Sequence, residues 1–145
     1  MMSTASAASS GNVGWLVEEF VERVHGVTHA LILSTDGLPL AGSSSVGMDE
    51  AERLAAISSG VLSLAHNGAA LFGKGACEQI IIRLDDGHLL FMGIGSGAGL
   101  AVLTSSAAQM RVVGYEMTQF VERVGHAFSR AVRAVLRRAV RGRPG

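Results

Sequence analysis

Two Asp-Gly pairs constrain this chain more than any other feature. Asp36-Gly37 separates HALILS from LPLAG, and Asp86-Gly87, preceded by Asp85, separates EQIIIRL from HLLFMGI. An Asp-Gly pair between apolar runs signals a hairpin, because Gly accepts the positive φ of a tight turn and Asp bonds nearby amides. Four strands are thereby committed to antiparallel pairing. A fifth, GLAVLT, follows the glycine-rich GIGSGAG. In HLLFMGI, Leu90, Met92 and Ile94 point one way while Leu89 and Phe91 point the other, so the sheet needs cover on both faces.

Helical spacing supplies that cover. Leu16, Val17, Phe20, Val21 and Val24 recur opposite Glu18, Glu19, Glu22 and Arg23, which predicts a first helix over 13–25 closed by Gly26. Asp49 with Glu52 reads as a capping box, opening a second helix whose core stripe is Leu54, Ile57, Val61, Leu64 and Ala65, to about Leu71. The other flank, Ala55, Ser59, Leu62 and His66, is mostly small, and Gly60 sits mid-helix at a cost of about 1 kcal/mol relative to Ala. Small residues admit a close neighbour, so this flank is expected to pack on a partner. Ser106 with Gln109 repeats the capping pattern, and Met110, Val113, Met117, Phe120, Val124, Phe128, Ala131 and Val135 mark a final helix to about Arg141. FVERV occurs at Phe20–Val24 and again at Phe120–Val124; with dissimilar flanks, it describes two amphipathic helices on one sheet face rather than a duplication. The element order is α-β-β-α-β-β-β-α. One face takes the first and last helices; the other takes the second helix and a second subunit.

Length and composition bound the rest. A chain of 145 residues fits one domain, and 48% hydrophobic against 17% charged residues suggests a buried interface in addition to a core. Cys77 is the only cysteine, so no internal disulfide forms, and a small buried apolar role suits it. The opening MMSTASAASSGN lacks the basic and apolar regions of a signal peptide, and a disordered tail is expected over 1–12. The folded domain is expected over 13–130 and an Arg-rich extension over 131–145. The apolar run Leu89–Leu103 is shorter than the ~18 to 20 residues of a membrane helix and holds four glycines. A cytoplasmic protein is expected.

Formal charge is balanced overall but segregated along the chain. Residues 1–122 carry five basic residues against all twelve acidic ones, net −7, whereas 123–145 carry seven arginines and no acid, net +7. The basic end is a candidate contact for anions. Val132, Val135, Leu136 and Val140 give it an apolar side, and Arg130, Arg133, Arg137, Arg138 and Arg141 a basic one, as in helices that adsorb to anionic membranes. A partner protein or plain solvation fits as well. No interleaved aromatics or reader motif point to nucleic acid.

Several motifs mimic chemistry. GAALFGKG, Gly68–Gly75, resembles a phosphate-binding loop, but Gly75 replaces the hydroxyl that would hold magnesium, and a helix precedes where a strand should. GIGSGAG misses the dinucleotide-binding spacing and leads into a strand. His25, His29, His66, His88, His126 and Cys77 could in principle bind zinc, yet Gly26 and a strand onset deny His25 and His29 a shared helical face. Ser34, Thr35 and Asp36 suggest a nucleophile, but no histidine is spaced as its base, and a turn explains them. No catalytic residue, cofactor or metal is expected. A binding protein is.

The chain resembles the Roadblock/LC7 family over about Trp15 to Arg130. The resemblance is carried by the element order, by VTHALILSTDGLPLA with its Asp36-Gly37-Leu38-Pro39 turn, and by the connection Leu71-Phe72-Gly73-Lys74-Gly75 after the second helix. Arg- and Ala-rich usage makes it similar to actinobacterial members encoded beside a sensor-kinase-like protein and a Ras-like GTPase. The resemblance implies an α+β fold, with a five-stranded antiparallel sheet between helices. It also implies a homodimer in which second helices pair and third strands join. Ala55, Ser59, Leu62, His66, Ile81 and Arg83 would line that interface. It implies no catalysis by this chain, but binding of a small Ras-like GTPase whose nucleotide cycle it alters, through the exposed part of the second helix and neighbouring loops. The alternative is a scaffold or membrane-surface adapter recruiting sensor-kinase-like proteins, peripheral at the inner face of the membrane. The Arg-rich end lies beyond the matched region and inherits no role.

Overall fold

A computed structural model describes the backbone from Thr4 to Arg141 and side chains from Val13 to Ala127. Eight elements follow in the expected order: α1 (Thr4–Arg23), β1 (Val27–Ser34), β2 (Pro39–Gly42), α2 (Met48–Leu71), β3 (Ile80–Leu84), β4 (Gly87–Ile94), β5 (Ala98–Ser105) and α3 (Met110–Arg141). The strands form one antiparallel sheet in the order β2-β1-β5-β4-β3. β5 lies at the centre, with Ala98–Thr104 paired along β1 and Ala98–Ser105 along β4. β3 ends the sheet and pairs with β4 alone.

The sheet divides the core in two, because alternate side chains leave it on opposite faces. Ala30, Ile32, Leu90, Ile94, Leu100 and Val102 face α1 and α3, where Val17, Phe20, Met117 and Phe120 close over them. Leu31, Leu33, Phe91 and Ala101 face α2. The two FVERV helices meet on one face as expected: the Phe20 and Phe120 rings lie 5.0 Å apart, tilted by 48°. Arg23 then pins the pair, donating to Glu116 at 2.7 Å and to Glu19 at 3.0 Å.

Element boundaries depart from the sequence expectations in three places. α1 starts at Thr4, not at residue 13, so the segment expected as a disordered tail is helical from Thr4 onward. Alanine and serine tolerate helix, and the turns beyond Val13 supply the costly nucleus. α2 starts at Met48, and its cap reaches back two residues further than Asp49 and Glu52: the Gly47 N–H donates to Glu50 Oε1 at 3.1 Å. α3 starts at Met110, leaving Ser106 in the preceding turn.

Candidate functional site

The residues that first suggested a nucleophile build a turn. Ser34 Oγ accepts the Leu38 N–H at 3.1 Å, the Ser34 N–H donates to Leu38 O at 2.8 Å, and Gly37 takes φ +85°. Ser34 therefore serves as the local acceptor expected of Asp36. Its oxygen accepts from the backbone within the turn. Gly95 takes φ +58° in the β4–β5 turn, and Gly73 and Gly75 take positive φ in the loop after α2, so neither glycine-rich motif opens a helix. His29 Nδ1 lies 2.8 Å from Thr28 Oγ1 and His88 Nδ1 3.3 Å from Thr104 Oγ1. Among the described residues, no three His, Cys, Asp or Glu side chains gather as metal ligands.

The informative surface is α2, whose sheet-facing side differs in part from expectation. Ala55, Ser58 and Leu62 are the buried positions, packed on Leu31, Leu33, Phe91 and Ala101 of the chain's own sheet. Leu54 and Val61 are half-buried at the edge of that contact. Ala55 and Leu62 thus belong to the protomer core, not to an interface with a partner. Small Ala55 and Ser58 let the helix settle onto the sheet, with Leu62 close over Gly99. Ser59 is half-buried and donates to Thr35 O at 2.8 Å, fastening α2 to the β1–β2 turn. His66 is exposed beside a largely apolar cleft of about 420 Å³ between α2 and the β1–β2 and β4–β5 turns.

Two residues of the stripe expected inside, Ile57 and Leu64, point outward instead. Ile57 is 56% exposed, Leu64 73% and Leu71 76%, and they recur every seven residues, with exposed Met48 and Phe72 at the two ends. By length and composition Met48–Leu71 could cross a membrane, with a mean hydropathy of 1.3 over an 18-residue window of which only 17% is buried. Yet the helix lies across the sheet and contributes to its core. An apolar stripe left exposed after a helix has docked marks a candidate interaction surface. The signal was present in the sequence: apolar residues occupy two flanks of α2, and the 57-64-71 spacing is that of a helix pairing seam. On the sheet edge, Ile81 is 48% exposed and Arg83 is exposed, both on a strand that has one neighbour. Their register partners are Leu90 and His88, so they lie on the α3 side of the sheet, opposite α2. The side chains of Arg130, Arg133, Arg137, Arg138 and Arg141 lie outside the described residues, although the α3 backbone is helical to Arg141.

This arrangement of five strands, two helices on one face and one on the other coincides with a known domain. The sequence profile of the Roadblock/LC7 domain matches residues 13–104. The chain belongs to the Roadblock/LC7 family. A Roadblock/LC7 domain from Streptomyces avermitilis is 38% identical, with 77% of this chain and 92% of that one covered and a TM-score of 0.73. Two more distant structures share the Roadblock/LC7 fold. MglB of Myxococcus xanthus is 13% identical, with a TM-score of 0.74 over 81% of this chain and 95% of the other. The gliding protein MglB of Thermus thermophilus is 17% identical, with a TM-score of 0.73 over 83% and 90%. No curated protein matches the sequence.

Proposed function

We propose that this chain is a non-catalytic homodimeric regulator that binds a small Ras-like GTPase and alters its nucleotide cycle within a bacterial signalling complex. The observation carrying this reading is the outer face of α2, a long apolar surface left open by a completed protomer fold. Membership of the Roadblock/LC7 family, with a Streptomyces relative at 38% identity, supports an actinobacterial setting for it. The open edge of β3 supports strand joining between copies, with Ile81 and Arg83 beside the junction. In that dimer the α2 flank holding Ser59 and His66, with the adjoining turns, stays available to the GTPase. Any acceleration of hydrolysis would come from ordering the GTPase's own switch loops. The test is single-turnover GTP hydrolysis and nucleotide exchange by the Ras-like GTPase of the same host, with and without the chain. A change in either rate supports the reading, and unchanged rates with no complex oppose it.

Charge segregation favours a second reading, an adapter at the inner membrane face that recruits sensor-kinase-like proteins. Six of the seven arginines of residues 123–145 fall on a helix whose backbone continues to Arg141. Salt-sensitive binding to anionic vesicles, lost on deleting residues 130–145, is its expected signature.

A further inference from the structure

The glycines of GIGSGAG leave a gap in the sheet beneath α2. Gly93 of β4 pairs with Gly99 of β5, and alternation from Phe91 and Ala101 puts both on the face that α2 covers. A Cβ at Gly99 would lie 2.7 Å from Leu62 Cδ1, so packing requires that glycine. Gly93 differs. It has no positive φ, and a Cβ there would meet nothing nearer than Gly95 O at 3.9 Å. A glycine that neither turn geometry nor packing demands, in a strand that it weakens, marks a place where a ligand or another backbone comes close.

The gap is the cleft of about 420 Å³, within the range of roughly 300 to 1,000 Å³ typical of small-molecule sites. Leu33, Leu62 and Ala98 give it apolar walls, and Gly93 and Gly95 give it bare backbone. Ser63, His66 and Asn67 of α2 form a polar rim, joined by Ser96 from the β4–β5 turn. Among the described residues, no Asp, Glu, Lys or Arg lines it. Its walls are already tied together: the Thr35 N–H donates to Gly97 O at 3.1 Å, and Ser59 Oγ donates to Thr35 O at 2.8 Å. Such a preformed site offers a phosphate or carboxylate no cation. It suits a flat uncharged ring whose edge carries donors and acceptors. We propose that this cleft binds a small uncharged planar molecule of the nucleobase kind, its ring against the backbone of Gly93 and Gly95 and its polar edge toward Ser63, His66 and Asn67. The site goes beyond the GTPase reading and does not depend on it.

The test is a titration of the full, isotope-labelled chain with adenine and, separately, benzamide, followed through amide chemical shifts. Saturable shifts are expected at Gly93, Gly95 and Asn67. Benzoate, planar but charged, and cyclohexanecarboxamide, uncharged but not planar, are expected to bind about 10-fold more weakly or worse. Gly93→Val fills the gap with a strand-favouring side chain and should abolish binding. Asn67→Ala, at an exposed position, should weaken binding about 10-fold with the fold intact, and it carries the test should Gly93→Val fail to fold. No saturable shift with either ring, shifts remote from these glycines, or binding unchanged in the folded variants overturns the site. Benzoate binding as tightly as benzamide overturns the uncharged ligand class.

Discussion

Gly26 shows how much a single position can fix. It closes α1 at φ +87°, and a Cβ there would run into the backbone and side chain of Ala108. Gly26→Ala should lower stability by about 2 kcal/mol or more in chemical denaturation, combining positive-φ strain with a clash. Phe120, 2% exposed and against Phe20, should cost about 3 to 5 kcal/mol when cut to Ala. Arg23 joins the same two helices, but its side chain is 40% exposed, so Arg23→Ala should cost under about 1 kcal/mol despite two short ion pairs. Its hydrogen bond to Glu116 is the main reason its pKa is raised. A raised cationic pKa stabilises below the unfolded value and is lost as pH rises through the folded one, so this contribution persists across the ordinary range. Sequence alone placed Gly26 and both phenylalanines correctly, because turn chemistry and helical spacing are local. The Arg23–Glu116 contact joins residues far apart in sequence and was not legible.

Among the elements, the strands were read almost residue by residue, whereas the inner face of α2 was read only in part. A strand between an Asp-Gly turn and a glycine-rich loop has its register set by its neighbours, and its alternation names both faces. α2 is apolar on two flanks, and periodicity cannot tell which flank meets the chain's own sheet. The structure decides by size: Ala55 and Ser58 allow close docking, while Ile57, Leu64 and Leu71 are left outside. One pair of variants separates the roles. Leu62→Ala should destabilise the protomer by about 2 to 4 kcal/mol in urea. Leu64→Glu should leave the protomer folded but shift the sedimentation profile from dimer to monomer. Similar loss of folding from both variants would contradict the assignment of faces.

At the scale of the whole molecule, an acidic body carries a basic helical end, and α2 carries the longest stripe of exposed large apolar residues, Met48, Ile57, Leu64 and Leu71. Fold and family were legible because they rest on element order and turn motifs. The candidate surface was legible only as a region, since what leaves a helix face uncovered is the packing of everything else. Ile57, Leu64 and Leu71 leave an apolar stripe outside the core, and Ser34 Oγ accepts a backbone hydrogen bond within its turn. The most direct measurement is an affinity capture from the native host's lysate using the full chain, in parallel with GDP and with a non-hydrolysable GTP analogue, and with bound proteins identified by mass spectrometry. The account predicts a small Ras-like GTPase recovered in one nucleotide state and absent in the other. Recovery of sensor-kinase-like or membrane proteins alone, indifferent to nucleotide, would contradict it.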